Sequence, residues 1–320
     1  METIVNNLWN NYTNPLVSII VPVYNRRHTL PRTIQSIKNQ TFKDIECIIV
    51  DDGSTEPADD IIKAFMEEEV YPVCYIKKEN GGVHTARNVA IKNTNGNYIV
   101  NIDSDDELTI DAISILWKRW NWLDETNKGG RYREIVGRCI DDNEMLVGKL
   151  FPDDINNHEW SETRRIAKEC GGECLAMWDA EIMKKNPWPE PEGITFVTED
   201  VLWDKLRKEY KSYYINEVVR IYHSDSGNSI INDGKKNRSV QYCKNIYWNN
   251  GYLLNNNEYP LKERIRLIAI FSVFENCLIK KDALSKIRLN KKVDKILKAL
   301  CVIPAKIIAV KYINTKMKTE

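Results

Sequence analysis

Four short runs near the start of the chain, Leu16 to Val23, Ile45 to Val50, Val73 to Lys77 and Gly96 to Ile102, read as strands, and the sequence turns helical between them. A strand apolar at nearly every position, as Leu16 to Val23 is, has both faces covered, the condition inside a parallel sheet flanked by helices. Thr29 caps a first helix, with Pro31 in its opening turn and Ile34 and Ile37 facing inward; Pro57 opens a second that runs to about Glu69, and a third spans about Val83 to Asn93. This repeated strand-helix alternation predicts an α/β fold, a Rossmann-like and mainly parallel sheet with helices on both faces.

Each strand ends in polar residues: Tyr24-Asn25, Asp51-Asp52, Asn80-Gly81-Gly82 and Asp103-Ser104-Asp105. Ligands of open α/β sheets sit outside the carboxyl ends of the strands, so these ends define one candidate site. Asn101-Ile102-Asp103-Ser104-Asp105-Asp106 places three carboxylates in four positions. Crowded carboxylates repel unless a cation sits among them, and a hard divalent ion such as Mn²⁺ or Mg²⁺ often bridges one or two of them to a substrate's phosphates. The other reading of the run is a solvated acidic turn capping the next helix, predicted over Leu108 to Trp122. The three-glycine dinucleotide fingerprint is absent after the first strand, as is a phosphate-binding loop with Lys-Ser/Thr, which argues against a dehydrogenase or a P-loop enzyme.

The second half is less regular. Glu134 to Phe151 reads as a hairpin turning at Asp141-Asp142-Asn143, and Cys174 to Trp178 as a short strand. Pro187, Pro189, Pro191 and Gly193 form a stiff loop before Thr198, which caps a predicted helix of about Glu199 to Tyr210. Glu199 and Asp200 then lie in its first turn, where acids routinely complement the helix dipole, or where one serves as a general base on a rigid element.

Lys and Arg outnumber Asp and Glu by 15 to 5 from Leu261 to Glu320, although the whole chain is balanced at 46 each, so the main body is acidic and does not suit nucleic acid. The eight cysteines are scattered without Cys-x-x-Cys and read as reduced core thiols; a zinc site on Cys170 and Cys174 lacks partners at usual spacing. Residues 1–14 lack the apolar centre of a secretion signal, and no uncharged 18-residue window occurs, so the expected location is cytoplasmic.

Taken in order, Val17-Ser18-Ile19-Ile20-Val21-Pro22-Val23-Tyr24-Asn25, Ile48-Ile49-Val50-Asp51-Asp52-Gly53-Ser54, Asn80-Gly81-Gly82 with Ala86-Arg87-Asn88, Asp103-Ser104-Asp105-Asp106 and Glu199-Asp200 closely resemble the family 2 glycosyltransferases of GT-A fold over roughly residues 15 to 230. The resemblance implies an inverting, Mn²⁺- or Mg²⁺-dependent transferase that uses a nucleotide-diphosphate sugar, with UDP-sugar as donor. By position it implies that Pro22, Tyr24 and Asn25 line the base and ribose pocket, that Asp52 or Asp51 accepts from the base, that Arg87 approaches the diphosphate, and that Gly82 and Ser104 also bind the nucleotide sugar. Asp103 would contact ribose or metal, Asp105 would ligate the metal, and Asp200, beside Glu199, would be the base. His223 would be an extra metal or diphosphate contact, although a lone histidine is more often a packed or surface residue. Arg220 would either reach a phosphate or pair with a surface acid.

The polymerising members' Gln-x-x-Arg-Trp motif and membrane spans are missing, so one sugar per encounter is expected, given to a glycan or lipid-linked acceptor in surface polysaccharide assembly. A nucleotidyltransferase would need a glycine-rich loop where Tyr24-Asn25-Arg26-Arg27 stands; a non-catalytic nucleotide-sugar scaffold would not need Asp200. Trp117, Trp120 and Trp122 fall on one predicted helix and read as core. Trp160, Trp178 and Trp188 lie in the acceptor half, where a ring face can stack on sugar, while Trp203 reads as core. The domain expectation is an extension over 1–14, a catalytic domain over 15–230, divided at 107 into nucleotide and acceptor halves, and a basic helical region over 231–320. Within the last, the apolar, lysine-rich stretch 291–318 reads as a peripheral membrane contact or as a helical pair docking on the domain or a second subunit of a homo-oligomer.

Overall fold

The computed structural model describes residues 1–11, 14–126, 132–152, 156–157, 169–224 and 239–316. Trp160 and the expected boundary at 230 lie outside the described residues. By its contacts the chain forms two units, Met1–Pro187 with Leu206–Ser226, and Trp188–Lys205 with Gly227–Glu320.

The first unit carries the alternation expected from sequence: β1 (Glu2–Val5), α1 (Asn7–Asn11), β2 (Val17–Val23), α2 (Leu30–Lys38), β3 (Ile45–Asp51), α3 (Asp59–Glu67), β4 (Val73–Lys77), α4 (Val83–Lys92) and β5 (Tyr98–Asn101). It continues through β6 (Glu107–Leu108), α5 (Ala112–Thr126), β7 (Tyr132–Ile140), β8 (Asn156–Asn157), β9 (Cys174–Asp179) and α6 (Ala180–Lys185), and after α7 (Asp200–Leu206) closes with β10 (Lys211–Ile221). The sheet order is β1-β4-β3-β2-β5-β9-β7-β10-β6, with β8 on β10. The pairs β4-β3-β2-β5 run parallel, as does β7-β10, while β9 is antiparallel to both its neighbours. All seven residues of β2 and of β3 are buried, which explains why their sequences do not alternate.

Residues 1–5, read from sequence as extension, contribute an antiparallel edge strand on β4. The helix expected from Leu108 starts at Ala112, because Glu107 and Leu108 pair with the end of β10. The expected hairpin is instead the single strand β7, a turn in which Asp141 accepts from the backbone of Asn143 and Met145, and one bridge between Ile140 and Leu146. β10 itself escapes the sequence reading because its register shifts against β7, between Tyr214 and Val218 and again before Arg220, erase any period of two. Trp120 is core, with Trp117 and Trp122 packed on it, and Trp178 and Trp188 are buried rather than presented as sugar platforms.

The second unit's described part is the loop from Trp188, α7, and three long helices, α8 (Val240–Asn256), α9 (Leu261–Lys280) and α10 (Lys292–Lys316). Ser239 caps α8 by accepting from the Tyr242 N–H at 3.1 Å. No described helix is long and apolar enough to cross a membrane.

Candidate active site

The acidic run after β5 is held by its backbone before its carboxylates are considered. In the first turn of α2 and just before it, the Thr29 hydroxyl donates to the Ser104 carbonyl at 2.9 Å, Arg32 to the Asp105 carbonyl at 3.0 and 2.6 Å, and the Thr33 hydroxyl to the Asp106 carbonyl at 2.7 Å. Thr29 makes no cap with its own helix; its hydroxyl is spent on the loop.

The side chains of the run meet arginines from three elements. Asp103 lies 3.4 Å from Arg87 of α4 and 3.3 Å from Arg220 of β10, and Asp105 lies 3.4 Å from Arg26, in the turn after β2. Asp106 is buried, pairs with Arg220 and accepts from the His223 backbone N–H at 2.9 Å. Burial alone would raise the Asp103 carboxyl, but Arg220, Arg87 and Arg26 outweigh it and hold the group below the usual carboxylate range. Asp106, more deeply enclosed and facing Asp103 and Asp105, is pushed up to about 6 by burial despite Arg220. The pairing foreseen for Arg220 thus involves two acids of the run, buried Asp106 and part-exposed Asp103.

The residues expected on the nucleotide side are equally built in. Asn25 adopts a left-handed φ of 52° and its side-chain oxygen accepts from the N–H groups of Thr55 at 2.8 Å and Glu56 at 3.2 Å. Asp51 accepts from Ser54 N–H at 2.8 Å. Asp52, also buried, accepts from Gly81 N–H at 3.0 Å and Gly82 N–H at 2.8 Å and pairs with Lys78, so it closes the Gly81-Gly82 loop onto β3. Pro22 is inside β2, and Tyr24 is exposed at its end.

His223 is gripped at both ring nitrogens, Nε2 by Glu107 at 2.7 Å and Nδ1 by Asp142, and contact with a metal would require release of one of these acids. Glu199 and Asp200 belong to the second unit, where Asp200 is the first residue of α7. The loop leading to them is tied to α8, since Asn245 accepts from Thr195 N–H at 3.1 Å, and Asn249 accepts from Thr198 N–H at 3.0 Å while donating to the Phe196 carbonyl at 2.9 Å. The helix ends at Leu206 rather than near Tyr210, because Lys211 already belongs to β10.

Among the described residues no three His, Cys, Asp or Glu side chains come together as a metal cage, which also leaves Cys170 and Cys174 without a zinc site. An oxygen pair such as Asp103 and Asp105 nevertheless suits a Mg²⁺-type ion that completes its shell with phosphates and water. Three arginines already face three aspartates, so the cluster is near charge balance, and a diphosphate placed against it calls for an added cation. The sequence reading missed the roles of Arg26, Arg32 and Asp106; a visible signal was the pair Arg26-Arg27 directly after the first polar strand end.

The sequence model described as Glycosyl transferase family 2 matches residues 18–178. A Campylobacter jejuni protein, GalNAc(5)-diNAcBac-PP-undecaprenol beta-1,3-glucosyltransferase, is 28% identical over 227 residues, 70% of this chain and 69% of its own. Two other curated relatives are matched over less of their length, the chain spanning 15% of one and 33% of the other. A crystal structure of S. aureus TarS in complex with UDP-GlcNAc superposes with a TM-score of 0.61 at 16% identity, covering 94% of this chain and 92% of that one. The mannosyltransferase PcManGT from Pyrobaculum calidifontis, in complex with GDP-Man and Mn²⁺, does so with a TM-score of 0.53 at 14% identity, covering 93% and 87%. The architecture is that of the GT-A glycosyltransferases, and the stretch matched by the family model runs from β2 through β9 and contains the whole acidic run. The chain belongs to glycosyl transferase family 2.

Proposed function

We propose that the protein is an inverting transferase that moves one sugar from a UDP-sugar to a hydroxyl of a glycan or lipid-linked acceptor in surface polysaccharide assembly. The observation that carries this reading is the acidic run itself, strapped by α2 and faced by Arg26, Arg87 and Arg220 at the carboxyl edge of the sheet. The turn of Asn25 with Thr55, and the Asp52-closed glycine loop, form the side to which base and ribose bind. Arg87 and Arg220 orient the diphosphate by forked hydrogen bonds as it departs with negative charge. Asp105 and Asp103 would hold Mn²⁺ or Mg²⁺, with His223 as a further contact if one of its acids released it, and the ion would supply Lewis-acid stabilisation of the leaving diphosphate.

Asp200, aided by Glu199, takes the proton from the acceptor hydroxyl as its oxygen bonds to the anomeric carbon and the bond to phosphate breaks. One displacement inverts the centre. Its position at the start of α7, in a loop fixed by Asn245 and Asn249, supports a base on a rigid element.

The test is a screen of nucleotide sugars for Mn²⁺-dependent thermal stabilisation and for hydrolysis or transfer. A single UDP-sugar is expected to stand out. Asp105→Ala is expected to abolish the metal dependence, and Asp200→Asn to keep donor binding while transfer falls by about 10²- to 10⁴-fold. Transfer by Asp200→Asn at the parent rate would remove the base assignment.

A further inference from the structure

On α10, Ile296, Leu300, Ile303 and Ile307 recur at steps of four, three and four, which places them along one side of the helix, and they are 54, 73, 70 and 65% exposed. Val293 and Val310 extend the same stripe at both ends. The opposite side packs on α9: Asp294, Ala305 and Ala309 are buried, Lys298 reaches Glu275 at 2.7 Å, and Asp294 pairs with Arg264. The exposed stripe is therefore not a core face left over from a poorly docked helix. The helix is anchored through its other side, and an apolar strip of this length in water marks a surface with a partner.

The charges around the strip identify that partner. Between Lys280 and Lys311 there are ten Lys and Arg and two Asp and Glu, and one of the acids, Asp294, is consumed in the buried pair with Arg264. Lys292, Lys295, Lys306 and Lys311 of α10 are exposed, as are Lys280, Lys281, Lys286 and Arg288 beside it. A second copy laid on this strip as a coiled-coil seam would set lysine against lysine with no acid along the helix to pair it. No described helix is long and apolar enough to cross a bilayer. An apolar strip bordered by unpaired cations matches the boundary between acyl chains and anionic headgroups, where the side chains enter the apolar layer and the ammonium groups stay at the phosphates.

We infer that the outward side of α10 docks on the surface of an anionic bilayer, lying in its plane. None of the donor-site residues takes part, so the surface stands apart from the proposed transfer reaction and is tested without it.

The full chain is mixed with vesicles of phosphatidylcholine, or of phosphatidylcholine with phosphatidylglycerol at about three to one, and floated through a density gradient. The expected result is flotation with the anionic vesicles and at least about tenfold less with the neutral ones, weakened by added salt. Leu300→Ser with Ile303→Ser and Ile307→Ser should abolish flotation while circular dichroism and Tm stay those of the parent, since the changed side chains touch solvent. Lys292→Gln with Lys295→Gln, Lys306→Gln and Lys311→Gln should reduce it and remove most of the salt dependence. The inference is overturned if the parent does not float with anionic vesicles, or if the serine variant floats as the parent does. It is equally overturned if light scattering shows a dimer that the serine variant dissolves while the parent ignores lipid.

Discussion

Asp103 accepts from guanidiniums on two elements far apart in sequence, and its neighbour Asp105 meets a third, so each carboxylate of the run has a fixed direction before any ligand arrives. The glycines around this site are equally constrained. Gly53, directly after Asp52, holds φ at +74°, and a Cβ there would lie 2.6 Å from the Asn80 backbone nitrogen. Gly53→Ala therefore combines a left-handed backbone with a clash against main chain and is expected to cost at least about 2 kcal/mol. Gly171, at φ +57° with nothing within 4 Å, supplies the control: Gly171→Ala should cost only the backbone part, about 1 kcal/mol. Urea unfolding of the two variants measures the difference, and equal losses would contradict it.

At the scale of elements, the buried pair between α9 and α10 is the clearest single tie in the second unit. The Arg264 Nη1 reaches both Asp294 oxygens at 2.9 and 2.8 Å, and its Nη2 donates to the Asn257 carbonyl at 3.2 Å. Asp294→Ala strands a buried guanidinium and should cost about 3–5 kcal/mol, whereas Arg264→Met with Asp294→Leu removes both charges and should recover most of that loss. Denaturant titration of the single and double variants completes the cycle.

This scale also shows what the sequence makes legible. β2, β3, β4 and β5 announce themselves as apolar runs with polar ends because parallel strands are covered on both faces, and the ends of β2, β3 and β5 named Asn25, Asp52, Asp103 and Asp105. β10 carries bulges instead of alternation, and with it went the pairing of Arg220 to Asp106, partners 114 residues apart that no local pattern connects. The asparagines that tie the Asp200 loop to α8 are hidden for the same reason, since an Asn on a helix face says nothing of which loop it will hold.

Over the whole molecule, none of the eight cysteines is in a disulfide, and six of them, Cys47, Cys74, Cys139, Cys170, Cys243 and Cys277, are buried. Burial pushes the Cys74 and Cys174 thiols up to about 11 and Cys139 to about 12, from an ordinary 9.0, and raises Cys47 further. Reagents need access as well as a thiolate, and Cys277, lowered by its hydrogen bond with Cys243, is buried, so at pH 8 a thiol reagent should modify Cys301, half-buried on α10, well ahead of the others, and reach all eight only in denaturant. The same shifts set an alkaline limit. These four thiols stay protonated where their unfolded counterparts ionise, so the stability they contribute is whole below pH 9 and drains away as pH rises through the folded values, while Cys277, lowered by its hydrogen bond with Cys243, runs the other way. Melting temperature in reducing buffer should therefore decline from about pH 9 toward 11. A flat profile across that interval would speak against buried thiols.

The three carbonyls that α2 holds, one after another, mean that the acidic run inherits the stiffness of a helix although it is itself irregular. The donor proposed above would meet a mould already set there. Its affinity is not taxed by the freezing of a wandering segment, and selectivity among sugars is left to whatever surrounds the ring.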